Sequence, residues 1–313
     1  MPGGGGVSVA LFTHPAALGH ETGPDHPECG DRLRYVLRAL EAQDFTPLLR
    51  ELAPRATPEQ LKAAHESDYV EAILAMPRDR VTTIDGDTVF GPGTLEAALR
   101  AAGGAAAAVD AVMEGWAQAA FVAMRPPGHH AESDRAMGFC FFNNAAVAVR
   151  QAQGKWGLKR VAVVDFDVHH GNGTQHIFAR DAGVMYASSH QAPCFPGTGA
   201  LAETGVGNVV NVPLPPGTNG ETFREAWQMA ILPRLAAFAP ELLIISAGFD
   251  AHAADPLAQM RLKEPDFAWV TRALLAVADV SCPGRVVSLL EGGYDLNALA
   301  QSCAAHVRAL MRL

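Results

Sequence analysis

The chain has 313 residues, of which 49% are hydrophobic and 18% charged, with a formal net charge of −9. This composition supports a sizeable buried core and excludes the low-hydrophobicity, high-charge pattern of disordered proteins. Lys and Arg form no basic run, which argues against a nucleic-acid partner. The length is within the range of one α/β unit, so we expect a single domain over residues 1–313.

The cysteines indicate a reducing compartment. Their number is odd, they form no CxxC pair, and they are scattered, at positions 29, 140, 194, 282 and 303. Such usage is typical of free thiols. Residues 1–6 lack the basic and apolar regions of a signal peptide, and no apolar run reaches the length of a membrane span. We therefore expect a cytoplasmic protein without a membrane partner.

Short apolar runs alternate with longer helical patterns along the chain. The predicted strands are residues 119–124, 160–167, 184–190, 241–249 and 285–291. The predicted helices are residues 94–114, 142–153, 222–238, 265–280 and 296–310. Several strands are apolar throughout, as in sheets covered on both faces. The pattern predicts an α/β fold with a mostly parallel central sheet flanked by helices, and ligands bind beyond the carboxyl ends of such strands.

Two adjacent histidines, His129 and His130, follow the first of these strands in the loop RPPGHHAE, which starts at Arg125. Adjacent side chains diverge on a regular element, but in a loop both can line one pocket. One histidine would then act as a base and the other as its partner. A surface His-His pair explains the segment equally well.

The next strand ends in the segment VAVVDFDVHHGNGTQ, which starts at Val161. If the chain stays extended, alternation places Asp165, Asp167 and His169 on one side. Three acceptors that point the same way repel one another without a cation. The segment therefore indicates a metal site; a polar strand end with satisfied hydrogen bonds is the alternative.

A third carboxylate, Asp250, stands where the apolar run 242–245 gives way to a loop. Together with Asp167 and His169 it would complete a site of two carboxylates and one imidazole. Three protein ligands leave one coordination position open for water or substrate, as a catalytic metal site requires. Taken alone, Asp250 would be better explained as a helix N-cap.

Tyr294 follows a pair of glycines after the last predicted strand, in the segment LLEGGYD. Paired glycines allow the backbone to turn sharply and direct the next side chain into a site. A phenol in such a position can donate a hydrogen bond to a developing oxyanion. An ordinary packed tyrosine is the alternative.

Together, and in this order, these segments resemble the histone deacetylase family, especially its class II members and the bacterial histone deacetylase-like amidohydrolases. The resemblance covers nearly the whole chain. It also includes the segments GPDHPE at 23–28 with Arg32, GFCFFNN at 138–144 and CFPGTG at 194–199.

The resemblance implies a zinc-dependent hydrolase that removes acetyl or similar acyl groups from amines such as acetyl-lysine. It assigns the metal to Asp167, His169 and Asp250, as the residue pattern does. It further implies catalytic roles for five side chains. His130 would be the general base and His129 its electrostatic partner, which Asp165 orients. Asn172 stands where class I enzymes carry an Asp, as in class II. Tyr294 would be the oxyanion donor.

The resemblance also implies a narrow substrate tunnel. Its aromatic walls would be Phe139 and Phe195, with Gly138 and Leu257 beside them. In polyamine-specific members the position of Leu257 carries a Glu, whereas broad class II enzymes carry Leu. Arg32 resembles the arginine near an internal channel through which acetate leaves, and a surface arginine is its alternative.

Metal identity is the least determined part of this interpretation. Zinc is the family default, but an oxygen-rich ligand set also accepts iron(II) or cobalt. The resemblance further implies a structural potassium ion, with Asp165, Asp167, His169 and Ser188 as its ligands.

Three other functions agree with parts of the pattern. A binuclear manganese ureohydrolase shares the expected fold but needs a further carboxylate, and the position two after His169 is Gly171. An inactive scaffold that binds acylated ligands would have lost a catalytic group, and none is missing. An acetylpolyamine deacetylase remains an alternative, because Glu21, Asp85 and Asp87 lie in segments whose placement is open. The physiological substrate, the pathway and the oligomeric state remain open too.

Overall fold

A parallel sheet organises the part of the chain that the computed structural model describes, residues 7–313; residues 1–6, for which we expect no signal peptide, lie outside it. The strands are β1 Val9–Thr13, β2 Leu49–Leu52, β3 Thr82–Thr83, β4 Val89–Phe90, β5 Ala119–Val122, β6 Val161–Asp165, β7 Val184–Gln191, β8 Val209–Leu214, β9 Leu242–Ala247 and β10 Val286–Leu290. Within the described range, eight of them pair in parallel in the order β2-β1-β5-β10-β9-β6-β7-β8. The short strands β3 and β4 pair antiparallel.

Helices flank this sheet, as predicted. They are α1 Gly30–Ala39, α2 Pro58–Lys62, α3 Ser67–Leu74, α4 Thr94–Glu114, α5 Asn144–Trp156, α6 Asn172–Phe178, α7 Gly220–Ala226, α8 Leu232–Phe238, α9 Glu264–Ser281 and α10 Leu296–Leu310. Short 3-10 turns cover Pro15–Gly19 and Gln43–Phe45. Helix α4 packs against α5, whereas α10 packs against α1 and α9. Among residues 7–313, no helix combines the length and the apolar character needed to cross a bilayer.

The five predicted strands are confirmed as β5, β6, β7, β9 and β10, and they lie side by side at the centre of the sheet. Every residue of these strands is buried, which explains their apolar sequences. The sequence analysis missed β1, β2 and β8. All four residues of the edge strand β2 are exposed. Since none of them is buried, the strand has no continuous apolar run that the sequence analysis could detect.

Most predicted elements differ from the structure by one to three residues at their ends, and two of the differences have a clear local cause. The helix predicted over 222–238 is interrupted by a π turn at Trp227–Ile231, directly before Pro233 near the start of α8. Proline lacks the N–H of a regular helical hydrogen bond and crowds the preceding turn, so the register changes there. Helix α5 begins two residues later than predicted, because the Asn143 side chain accepts a hydrogen bond from Ala146 N at 2.9 Å.

The core also buries a neutral histidine, His306 of α10. Its ring contacts Thr271 Oγ1 at 2.6 Å and Ser288 Oγ at 2.8 Å, and it packs among aromatic rings that include Phe166. Burial lowers the pKa of His306 to about 3. The protonated ring is therefore excluded from the folded state at neutral pH.

This burial predicts how stability depends on pH. The pKa of His306 is lower in the folded than in the unfolded chain, so its contribution is fully present above pH ~6.5 and is lost as the pH falls toward the folded value. As the pH falls through this window, we expect the free energy of unfolding to decrease less steeply in His306→Gln than in the wild type. The difference between the two slopes should be about 1.4 kcal/mol per pH unit. Urea unfolding of both proteins at pH 7.5 to 4.5 measures this; parallel pH curves would contradict it.

Candidate metal centre and active site

The three predicted metal ligands meet beyond the carboxyl ends of β6 and β9. Asp167, His169 and Asp250 are buried, and their ligand atoms all lie within 4.8 Å of one another. His169 Nδ1 is 3.2 Å from Asp167 Oδ1 and 3.1 Å from Asp250 Oδ2. Among residues 7–313 one other group has such spacing, Glu132, Asp134 and His176, but two of its members are exposed.

The path that brings these ligands together differs from the predicted one. Strand β6 ends at Asp165, two residues before the predicted end, and the chain then turns. Asp165 Oδ1 accepts a hydrogen bond from Asp167 N at 3.1 Å, and Asp167 Oδ1 accepts one from His169 N at 2.9 Å. These bonds compete with the sheet for the backbone N–H groups. Asp167 and His169 therefore converge through successive turns rather than along an extended strand.

Backbone N–H groups hold the two ligand carboxylates. Asp250 Oδ1 accepts from Val168 N at 2.8 Å, and Asp167 Oδ2 accepts from Gly292 N at 2.8 Å. A Cβ at Gly292 would lie only 2.2 Å from Asp250 Oδ2. The first glycine of the pair therefore allows the last strand to approach the metal ligands closely.

The charges of this group fit a cation. Burial, together with the charge of Asp167, raises the pKa of Asp250 to about 7. Burial alone would lower the pKa of His169, but hydrogen bonds to both carboxylates raise it well above its usual range. Both shifts show that two buried carboxylates demand positive charge here. A divalent cation on one imidazole and two carboxylate oxygens would supply it.

The histidine pair lies beside the metal ligands and is buried, so the surface alternative is wrong. His129 Nδ1 is 3.0 Å from Asp165 Oδ2, and His130 Nδ1 is 2.8 Å from Asn172 Oδ1. Burial alone would lower the pKa of His129, but the charges of Asp167 and Asp165 raise it to about 10. Burial and the neighbouring positive charges of His129 and His169 hold the pKa of His130 well below its usual range. The site therefore pairs a cationic with a neutral imidazole.

Two supporting residues of this pair were missed by the sequence analysis. Glu291 accepts hydrogen bonds from Gly128 N at 2.7 Å and His129 N at 3.2 Å, and thereby holds the histidine loop. Tyr186 donates to Asp165 Oδ2 at 3.1 Å. A lone Glu at the end of an apolar strand was the only sequence signal for Glu291. Tyr186, inside a buried strand, gave none.

Arg32 is fully buried, so the alternative of a surface arginine is wrong. Its guanidinium donates to Glu291 O at 2.5 Å, to Gly293 O at 2.6 Å and to Glu28 Oε1 at 2.9 Å. It also lies over the Tyr294 ring, 4.9 Å from the centroid. Arg125, which the sequence analysis left without a role, binds both oxygens of Glu28, at 2.5 and 2.6 Å. This network ties the segment before α1 to the glycine pair.

Tyr294 is oriented from its backbone. Asp255 Oδ2 accepts from Tyr294 N at 2.7 Å, and Asp255 Oδ1 accepts from Leu257 N at 3.0 Å. One buried carboxylate thus connects Tyr294 with the predicted rim residue Leu257. Desolvation raises the pKa of Tyr294 well above its usual range, so its hydroxyl stays protonated at neutral pH.

A cavity of about 210 Å³ leads to these groups. It is lined by Asp87, His130, Gly138, Phe139, His169, Phe195, Leu257 and Tyr294. All four predicted tunnel residues are among them. A Cβ at Gly138 would lie 2.6 Å from the His130 ring, so the wall can approach the base only as glycine.

Two of the four predicted potassium ligands, Asp165 and Ser188, are neighbours in the sheet, whereas Asp167 and His169 lie beyond the end of β6. Ser188 of β7 lies opposite Asp165 of β6 in the strand register. Its hydroxyl, however, contacts His190 Nδ1 at 2.9 Å. The potassium site stays a prediction.

Comparison with known proteins agrees with this geometry. The histone deacetylase domain matches residues 26–310. The chain is 41% identical to the histone deacetylase-like amidohydrolase of Pseudomonas aeruginosa, over 94% of this chain and 76% of that protein. It is 40% identical to a probable deacetylase of Archaeoglobus fulgidus, over 92% and 82%. The crystal structure of the HDA15 HD domain superposes with a TM-score of 0.92 at 35% identity, covering 98% and 88%. The chain therefore belongs to the histone deacetylase family of amide-cleaving hydrolases.

Proposed function

We propose that this enzyme is a zinc-dependent deacetylase that removes acetyl or similar acyl groups from amines such as acetyl-lysine. One observation carries the proposal: a buried Asp-His-Asp group and His130 meet at a cavity of about 210 Å³ with aromatic side chains in its wall. An acylated amine has the shape and chemistry for this arrangement, with a slender aliphatic stem behind a reactive carbonyl. The free state of all five cysteines supports a cytoplasmic location.

We assign the metal to Asp167, His169 and Asp250. Bound there, zinc would polarise the amide carbonyl and lower the pKa of a coordinated water to about 7. Iron(II) or cobalt would suit the same donors. A structural potassium near Asp165 and Ser188 completes the proposed set of ions.

His130 is the proposed general base. Its low pKa keeps the ring neutral at pH 7, and the hydrogen bond from Nδ1 to Asn172 Oδ1 leaves Nε2 without a proton. Its neighbour His129, protonated and paired with Asp165, supplies fixed positive charge as negative charge develops on the substrate. The proton taken up by His130 then passes to the leaving amine.

Tyr294 is the proposed hydrogen-bond donor to the substrate oxygen. Its position on the cavity wall and its high pKa support this role. Arg32, which stacks on its ring, keeps the proposed role beside an acetate exit. Phe139 and Phe195 would grip the acyl-amine stem between them.

The proposal is tested with purified protein, zinc and an acetylated fluorogenic lysine substrate. Turnover together with about one metal ion per chain supports it. Two bound metal ions would favour a binuclear hydrolase. Tight substrate binding without product would favour an inactive scaffold.

The metal assignment predicts that Asp167→Ala or Asp250→Ala abolishes metal binding and activity together, because each removes a charged ligand from a three-ligand site. Asp134→Ala is the matched control, because it removes a carboxylate from the exposed second group. Metal content by mass spectrometry decides between the two groups. Full occupancy in both ligand variants, or loss in the control, would defeat the assignment.

Tyr294→Phe should retain the metal and the fold but lower kcat by about 100-fold, because only a transition-state hydrogen bond is removed. Tyr35→Phe on the exposed face of α1 is the control and should leave kcat unchanged. Steady-state kinetics and metal content measure both effects. Near-wild-type turnover of Tyr294→Phe would make Tyr294 a packing residue.

The cavity mouth bears on the choice between acetyl-lysine and acetylpolyamine. Leu257, which is 38% exposed, and Asp87 both lie there. An apolar side chain gains nothing from a second positive charge, whereas a well-placed carboxylate contributes roughly 1.5 to 3 kcal/mol. In the described chain, Asp87 is the one carboxylate that lines the mouth. Burial, and to a smaller extent the charge of Asp85, raises the pKa of Asp87. We favour acetyl-lysine peptides or neutral acylamides as substrates.

We therefore expect a higher kcat/KM for acetyl-lysine peptides than for acetylspermidine. Leu257→Glu should shift the ratio toward the polyamine by about tenfold, and Leu257→Gln, of equal size but uncharged, should not. Competition assays with both substrates measure the ratio. A wild-type preference of about tenfold or more for acetylspermidine would overturn this choice. If Asp87→Asn then abolished that preference, Asp87 would be identified as its cause.

A further inference from the structure

We infer that Glu132 is a positioning residue for the base, because it determines which end of the Asn172 amide faces His130. The inference rests on the proposed function, in which His130 acts as the base. Glu132 follows the histidine pair in the same loop, and Asn172 is the first residue of α6. The contact between them is therefore part of the wall behind the active site.

The orientation of the Asn172 amide follows from its partners. Its Nδ2 donates to Glu132 Oε1 at 2.8 Å, and it lies 3.3 Å from Met137 Sδ and 3.4 Å from His130 O. A carboxylate only accepts hydrogen bonds, so the NH₂ end of Asn172 must face Glu132. The carbonyl end must then face the imidazole, where Oδ1 is 2.8 Å from His130 Nδ1.

This orientation selects the tautomer of His130. Because Asn172 Oδ1 only accepts, His130 Nδ1 must carry the ring proton, and Nε2 keeps the lone pair that a base needs. With the amide inverted, Asn172 Nδ2 would donate to Nδ1 and the proton would move to Nε2. The ring would then be neutral but unable to accept a proton from the cavity side.

Glu132 is itself held firmly enough for this role. Its side chain is 17% exposed and lies 3.0 Å from Arg135 Nη2, and its backbone N donates to Arg135 O at 2.9 Å. Asn172 is buried, with only 5% of its surface exposed. The bond to Glu132 is charge-assisted, unlike the other contacts of the Asn172 NH₂ group.

The test is a double-mutant cycle on the zinc-loaded enzyme, with Glu132→Gln and Asn172→Asp. A glutamine of equal size offers either end of its amide, so this residue no longer imposes the orientation of Asn172, and only the longer contacts with Met137 Sδ and His130 O still favour it. We expect Glu132→Gln to lower kcat about tenfold, with the metal content unchanged and KM changed by less than about twofold. In the Asn172→Asp background the partner of His130 accepts with either oxygen, so Glu132→Gln should cause no loss, and relief of carboxylate repulsion should raise kcat.

Glu203→Gln is the matched control. Glu203 holds the amide of Gln175, also on α6, at 2.6 Å, without contacting the base. We expect its kcat to equal that of the wild type. Equal losses from Glu132→Gln in both backgrounds would reduce Glu132 to a structural role and overturn the inference, as would the absence of any loss when Asn172 is retained.

A second measurement does not depend on turnover. Spectra of ¹⁵N-histidine-labelled, zinc-loaded protein report the tautomer of His130, which is identified by its absence in His130→Gln. The inference predicts protonated Nδ1 in the wild type and a population with protonated Nε2 in Glu132→Gln. An unchanged tautomer overturns it. If the wild type shows this tautomer but no deacetylation, the proposed function fails while the positioning role stands.

Discussion

The structure depends on one electrostatic constraint: several carboxylates are buried at the same edge of a parallel sheet. Asp165, Asp167, Asp250 and Glu291 are each at most 1% exposed. Buried negative charges are stable only if they are paired or hydrogen-bonded. The loops after β5, β6 and β10 supply the N–H groups, and His129 and the proposed metal would supply the positive charge. The tight glycine turns follow from this need for close approach.

The same constraint gives two adjacent histidines opposite properties. His129 lies next to Asp165 and Asp167, and their charges keep it protonated. His130 instead contacts the neutral amide of Asn172, and burial together with the charge of His129 lowers its pKa. These two residues are adjacent in the chain, yet one is a fixed positive charge and the other a proton acceptor. The loop held by Glu291 makes this possible, because no regular element would point both rings into one site.

Sequence reasoning predicted the central strands of the sheet better than its edge strands and the contacts between distant loops. Strands covered on both faces carry uninterrupted apolar runs, and their ends carry the functional side chains. Edge strand β2 has no such signal. The burial of Arg32 depends on Glu28 and on the carbonyl oxygens of a loop more than 250 residues away along the chain, contacts that local patterns do not encode. The contact of Glu132 with Asn172 was hidden for the same reason.

The strand order also determines when the site can exist during synthesis. Strand β10 inserts between β5 and β9, although it follows both of them in the sequence. Asp167 and His169 are translated early, but Asp250 follows about 80 residues later, and Gly292, whose N–H holds Asp167, comes near the end. Contacts this distant in the chain form late in folding. The proposed metal centre would therefore be complete only once β10 has joined the sheet, and an ion would be loaded after that step.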